Sequence, residues 1–460
     1  MKKYTLYIIL FVLWANCSNA QGFRIEVKTP DLPVDSLFIV AYDQVRKQFK
    51  PIYGVKYASE AVFSDNKSLV PGLYLIHADT NILVEFLISD YNNQRFSIDI
   101  KNNDAFFYGS DENNANMLYM KTIRRYDQQI DLLNANYQKI QQSNASFMEK
   151  QAKVDEIIRQ SQEINTQKLS YQAKVVEENK GSLLASIILS VMEVPQPPVE
   201  YYKDRTLYYK YLAEFCFYKY DFSDDRILST PLAVNKFRSF NEVIFELESK
   251  DAIPYVLDAL RKSHQASPQQ YYDLFDYIER DFGSIKSPVR KESLYIAMLH
   301  YAIDSTYIDK YRKRRYLYEL DIIDKNHVGD KLPNFNLIMS NGDTTNLYDI
   351  KAERLLLYLQ NPDCSTCKKV REKIKEIDAV LAEQKITVLT VYFENDKEMW
   401  QNYLQNNAFS HWMHAWNYDL TIEEKKLIDI RSIPSLYLLD KNKIILKKDI
   451  NINELEVILE

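Results

Sequence analysis

Glycine is scarce in this chain. Of 460 residues only 8 are glycine, against roughly 7% in an average protein. A loop that cradles phosphate needs close backbone approach, and neither G-x-G-x-x-G nor G-x-x-x-x-G-K-[ST] occurs, which excludes nucleotide enzymes of those types. Concentrated basic charge is also missing. The net charge is −6 and the basic residues are scattered, so the basic face that nucleic acid requires is absent. Cysteine is limited to Cys17, Cys216, Cys364 and Cys367, and histidine to 6 residues. No flavin, nicotinamide or haem signature is present, and C-x-x-C-H fails because Lys368 follows Cys367. No cofactor is therefore expected. What the chain does have is a 46% hydrophobic fraction, enough for a sizeable core, and 35 tyrosines.

The first twenty residues read as an export signal. Met1-Lys2-Lys3 is a positive n-region, Leu6 to Ala15 an apolar h-region, and Ser18-Asn19-Ala20 a small-residue cleavage site. Cleavage after Ala20 leaves Gln21 as the mature N-terminus. Lipidation at Cys17 is the minor alternative, although Asn16 stands where a small residue is needed. Either way residues 21–460 are expected in the periplasm or cell envelope, where disulfides persist. The apolar run is about ten residues, too short to span a bilayer with ease.

The fold class expected is multidomain α+β: a small N-terminal β-sandwich, a central all-α region and a C-terminal α/β domain. The domains are placed at 21–111, 112–325 and 326–460, after the signal at 1–20. FRIEV (23–27), LFIVAY (37–42), GLYLIHA (72–78), ILVEFLIS (82–89) and RFSIDI (95–100) read as strands about ten residues apart, suggesting an antiparallel sandwich. After Asp111 the period changes. Tyr119, Ile123, Tyr126, Ile130, Leu133, Tyr137 and Ile140 form a heptad seam. Ser146 to Glu149 reads as a capping box opening a second helix, so an antiparallel helical hairpin is expected, with an intermolecular coiled coil as the alternative. Helical patterns resume at 200–219, 233–248, 251–264, 268–281 and 288–324. Beyond Gly329 come a hairpin at Asn341-Gly342, a buried strand RLLLYLQ (354–360), helices at 363–382, 399–408 and 421–429, a strand at 385–393, a closing hairpin (434–450) and a last helix at 452–460.

The chemistry-bearing stretch is NPDCSTCKK. Cys364 and Cys367 stand as C-x-x-C where a strand runs into a helix. Three readings open: a redox dithiol, a structural disulfide, or half of a metal site. A helix N-terminus aims free N–H groups and a positive dipole end at the first sulfur, which lowers a thiol pKa, and thiolate is the attacking species in disulfide exchange. The i, i+3 spacing puts Cys367 one turn along the same face. Cys364 is then the nucleophile and Cys367 the resolving thiol. A four-residue disulfide loop stabilises little. A zinc site needs about four ligands. In the mature chain only Cys216 remains, in the apolar run YLAEFCFYKY, where it reads as a buried inert thiol. His411 and His414, three apart, could share a helix face, but no carboxylate has ligand spacing. No metal site is assigned.

The C-terminal third resembles the thioredoxin superfamily, in particular its exported TlpA/ResA-like branch. The resemblance is carried by the lead-in VGDKLPNFNLIMSNGDTTNLYDI, the strand entering NPDCSTC, the following β-strand and helix, and Ile433-Pro434 in RSIPSLYLLDKNKII. It covers roughly residues 326–460. It implies a thioredoxin-like fold, a thiol–disulfide oxidoreductase, and a cis Pro434 facing the cysteines, with the Ile433 backbone free to pair with an extended substrate. It also implies disulfide-containing envelope proteins as substrates and an electron donor or acceptor at the membrane. The family's aromatic residue before the first cysteine is replaced by Asp363, and Tyr358 stands at the spacing of thioredoxin's buried acid. Val370 takes the place of the branch's glutamate. Asp363, Tyr358 and Glu394 are the candidate tuning residues. The alternative is a non-catalytic scaffold in which Cys364–Cys367 is an inert clasp. The earlier regions look like the β-rich and helical domains found ahead of such modules.

Overall fold

The computed structural model describes residues 22–455 apart from 31–33, 79–80, 102–103, 145, 286, 306–307, 324, 408–411 and 451–454. The signal segment with Cys17 and Ala20, His411, and all of the helix expected at 452–460 except Leu455 lie outside the described residues. Two compact units form. One runs to Val199 and takes in Glu214–Phe240; the other is Glu200–Ala213 with Asn241 onward.

In the first unit eight strands precede the helices: β1 (Phe23–Lys28), β2 (Ser36–Asp43), β3 (Gln48–Lys56), β4 (Ala61–Asp65), β5 (Gly72–Ala78), β6 (Asn81–Ile88), β7 (Arg95–Lys101) and β8 (Asp104–Tyr108). They make two four-stranded sheets, β4-β1-β7-β8 and β3-β2-β5-β6. Alternation aims Phe23, Ile25 and Val27 into the same core as Ile39, Ile76, Phe86 and Ile98. The expected all-antiparallel pairing is corrected at one place: β1 and β7 run parallel. The second sheet lies between them in sequence, and so long an excursion lets the chain re-enter the first sheet in the same direction.

Helices α1 (Asp111–Gln142) and α2 (Phe147–Glu178) form the antiparallel hairpin. The Tyr119 ring stacks on Tyr171 at 6.3 Å, and Lys168 reaches Asp127 at 3.0 Å. Ser146 and Glu149 form the capping box reciprocally. After α3 (Leu183–Val191), the stretch Asp224-Asp225-Arg226 ties strands to helices. Arg226 pairs with Asp224 and donates to the carbonyl oxygens of Ser89 and Gly181. Cys216, just past α4 (Arg205–Phe215), is buried, and burial pushes its thiol up to about 11.

The second unit contains α6 (Ser249–Ala266), reached through α5 (Pro231–Phe245), then α7 (Pro268–Ile278), α8 (Glu292–Asp304) and α9 (Lys310–Ile323). The helix expected across 288–324 is two helices, α8 closing at Ser305 with its N–H on the Ala302 carbonyl. Between α7 and α8 the chain makes one π-helical turn, Glu279–Gly283.

The remainder is β9 (Asn336–Met339), β10 (Thr344–Asn346), β11 (Arg354–Gln360), α10 (Ser365–Glu376), α11 (Asp378–Glu383), β12 (Ile386–Tyr392), α12 (Lys397–Asn407), β13 (Met413–Trp416), α13 (Thr421–Glu424), β14 (Ser435–Asp440) and β15 (Ile445–Lys448). The sheet order is β10-β9-β13-β12-β11-β14-β15. Strand β11 is interior, parallel to β12 and antiparallel to β14. Leu355, Leu357 and Leu359 enter the core on one face, Leu356 and Tyr358 that on the other, which explains its unbroken apolar run. Two expectations are corrected. The helix placed at 421–429 is a single turn, because Lys426 takes a positive φ of 48° and the Leu427 N–H bonds to the Ile422 carbonyl. His414, expected on a helix, lies on β13, where Nδ1 and Thr390 Oγ1 are 3.1 Å apart.

Candidate active site around Cys364 and Cys367

Strand β11 ends at Gln360 and α10 begins at Ser365, with Cys364 as its N-cap. The Cys364 sulfur accepts from the Cys367 N–H at 3.2 Å. Its own S–H points at the Ile433 carbonyl oxygen, 3.8 Å away. Partial burial pushes the Cys364 pKa up, but bonding to the Cys367 thiol and to the N–H groups of Cys367 and Thr366 outweighs it, so the pKa falls below the ordinary value. Cys367 is fully buried. Burial and then the bond to Cys364 push its thiol up to about 12. The two sulfurs are therefore unequal: an accessible one held toward thiolate, and a buried one held as thiol.

The Ile433-Pro434 peptide is cis. Both residues are half-buried, and the Ile433 carbonyl faces the Cys364 sulfur. Tyr358 is buried at the position of the expected acid, and its hydroxyl donates to the Cys367 carbonyl oxygen at 2.7 Å. It bonds the main chain, not a sulfur. Asp363 is exposed, its N–H donating to Asn361 Oδ1 at 2.9 Å. Glu394 is exposed and accepts from the Asn361 side chain. The structure thus brings together Cys364, Cys367, Ile433 and Tyr358, while Asp363 and Glu394 sit at the solvent edge.

One nearby residue was missed by sequence reasoning. Arg371, four residues beyond Cys367 on α10, is only 5% exposed. Its guanidinium lies 5.4 Å from the Tyr403 ring centre, and its Nε and Nη1 have no hydrogen-bond partner. The i+4 spacing from Cys367, beside the buried Val370 and Ile374, is the signal that could have found it. It lines a cleft of about 420 Å³ with Pro362, Asp363 and Tyr403.

Three carboxylates, Glu292, Asp429 and Asp449, also converge, each with an oxygen within 4.8 Å of the others. Their charge is already balanced. Arg431 reaches Asp429 at 2.7 Å and Asp449 at 3.2 Å, Lys448 reaches Glu292 at 3.0 Å and Asp429 at 3.3 Å, and Arg290 pairs with Glu292 and Asp449. This network holds the Asp429–Pro434 loop and needs no ion.

Residues 353–445 match the family model described as "Thioredoxin-like", and residues 158–326 match "Domain of unknown function (DUF5106)". No curated protein is significantly similar to this chain. Among solved structures, a thioredoxin-like protein from Bacteroides caccae is similar at 25% identity and a TM-score of 0.52, over 58% of this chain and 98% of that one. The C-terminal domain of an uncharacterized protein from Bacteroides fragilis is 36% identical over 29% of this chain and 98% of its own, with a TM-score of 0.28. A domain of a possible thiol-disulfide isomerase from Cytophaga hutchinsonii is 26% identical over 29% and 90%, with a TM-score of 0.27.

Proposed function

The C-terminal module belongs to the thioredoxin superfamily, and from that premise we propose that the chain is an exported thiol–disulfide oxidoreductase acting on cysteines of other envelope proteins. The observation that carries this reading is the inequality of the two sulfurs: Cys364 held toward thiolate at the mouth of α10, and Cys367 buried beneath it as a thiol.

In the reducing direction the Cys364 thiolate attacks a substrate disulfide. A Cys364–substrate disulfide forms, the substrate S–S bond breaks, and one substrate sulfur leaves as thiolate and takes a proton. Cys367 then attacks the Cys364 sulfur. The Cys364–Cys367 bond forms, the second substrate thiol departs, and two electrons have passed to the substrate. A dithiol donor at the membrane restores the pair; in the oxidising direction a disulfide acceptor takes the electrons instead. The Ile433 backbone pairs with an extended substrate segment as an added strand would. The β-rich and helical regions dock the module to its substrates or to the envelope.

The test is a redox titration of the mature protein with thiol-alkylation readout, run beside Cys367→Ser. The expected results are a reversible two-electron couple and mixed disulfides trapped on Cys364 in the variant. A disulfide that resists reduction below about −300 mV, with no partner trapped, overturns the proposal in favour of an inert clasp on a scaffold protein.

A further inference from the structure

Arg371 has no ion-pair partner among the described residues, although its side chain is buried. An uncompensated buried cation is expensive, and a fold retains one where an anion forms against it. Asp363, Asp396 and Glu398 line the adjoining cleft but are exposed. What lies one helical turn back along the same face is Cys367, itself fully buried. During resolution the other polar groups facing this sulfur are neutral: Cys364, then tied up in the mixed disulfide, the Asn361 main chain, Tyr358 from β11, whose hydroxyl is given to the Cys367 carbonyl, and Tyr403 from α12. None is an acid that could take the Cys367 proton.

We infer that Arg371 is a positioning residue for the resolving step: its buried guanidinium stabilises the Cys367 thiolate while that sulfur attacks the mixed disulfide on Cys364. The inference rests on the oxidoreductase reading and names the group that serves where the strand offers no acid. The Arg371 charge pulls the Cys367 pKa down against the larger effect of burial, in the sense the role requires. The step balances without further reagents. Cys367 gives up its proton, the Cys364–Cys367 bond forms as the Cys364–substrate bond breaks, and the proton ends on the departing substrate sulfur. Arg371 stays charged throughout and exchanges no proton.

The first attack is made by Cys364, so a role confined to Cys367 predicts a split between two rates. Each unit by which the Cys367 pKa rises removes about tenfold of its thiolate, and greater nucleophilicity returns about half of that on a logarithmic scale, leaving resolution about threefold slower per unit. Loss of a buried neighbouring cation is worth about one to two units. The experiment mixes the reduced full chain with glutathione disulfide, quenches with acid and follows the Cys364–glutathione adduct by mass spectrometry. Arg371→Met should form the adduct at the wild-type rate within about twofold and resolve it about three- to tenfold more slowly. Its resolution rate should need higher pH to reach the wild-type value, and Arg371→Lys should restore most of it. Should Arg371→Met fail to fold, Arg371→Gln and Arg371→Lys make the same comparison. Equal resolution in the charged and neutral variants, or equal slowing of both steps, overturns the role of Arg371. No adduct even in Cys367→Ser overturns the oxidoreductase reading instead.

Discussion

Removing the Asp429 carboxylate should destabilise the thioredoxin-like module far more than an ordinary ion-pair mutation does. The Asp429 side chain is 0% exposed and accepts from Arg431 at 2.7 and 2.8 Å, with Lys448 at 3.3 Å. Arg431 and Lys448 are themselves only 11% and 6% exposed. Three cations, Arg290, Arg431 and Lys448, face three carboxylates, so Asp429→Ala leaves one buried positive charge without compensation. Breaking a buried pair from one side costs roughly 3–5 kcal/mol, whereas an exposed pair is worth less than about 1 kcal/mol. The loop concerned leads directly to Ile433, and the Tyr437 hydroxyl donates to the Asp429 carbonyl oxygen at 2.7 Å, so the damage should be felt in β14. Hydrogen exchange of the β14 amides reports opening of this region without requiring the whole chain to unfold in one step. The expected opening free energy falls by about 3–5 kcal/mol in Asp429→Ala. Adding Lys448→Met restores the charge balance and should recover a large part of the loss. A fall below about 1 kcal/mol, or a double variant no better than the single one, would refute the claim that charge balance holds this loop.

Iodoacetamide near neutral pH should label Cys364 well before Cys367, because the first thiol is held below its ordinary pKa and the second is pushed up to about 12; earlier labelling of Cys367, read by peptide mass spectrometry, would contradict the assignment. The same raised pKa has a stability consequence. The folded chain keeps a proton on Cys367 that the unfolded chain loses above about pH 8.5, so this thiol makes stability fall as pH rises from there toward about 12, by up to about 1.4 kcal/mol per pH unit. Cys367→Ser should flatten that slope in urea titrations. Tyr358→Phe removes the bond to the Cys367 carbonyl oxygen and should lower stability by about 1 kcal/mol while leaving Cys364 alkylation within about twofold of wild type; a larger change in alkylation would make Tyr358 a tuning residue after all. Gly283→Ala should destabilise the second unit by about 1–3 kcal/mol, since the added Cβ would lie 2.6 Å from the Tyr295 ring; an unchanged unfolding midpoint would show that the ring can move aside.

The helical hairpin was legible because its signals are local. A heptad seam and the Ser146/Glu149 box each act within a few residues; the structure forms the box reciprocally and sets the seam's Tyr119 and Tyr126 against Tyr171. The strand-to-helix step at Cys364 was legible for the same reason: an unbroken apolar run meets an amphipathic pattern. Other features needed the third dimension. β13 was unread because Met413–Trp416 is too short to show a period, and its pairing with β12 makes it a strand. The parallel β1–β7 pair depends on a return across the intervening sheet.

At the site, spacing and helix polarity in the sequence fix which sulfur is presented first, whereas Ile433-Pro434 came only from the family resemblance, and the fold sets the Ile433 carbonyl oxygen 3.8 Å from the Cys364 sulfur. Tertiary structure decided the surroundings. It turned Tyr358 toward a backbone carbonyl, put Asp363 and Glu394 in solvent, and closed the Asp429 network around the loop before Pro434. It also buried Arg371 beside Cys367. A charge written in a sequence has no fixed strength. Its effect depends on the water removed around it and on the partner within reach, and only the packed fold sets those two quantities.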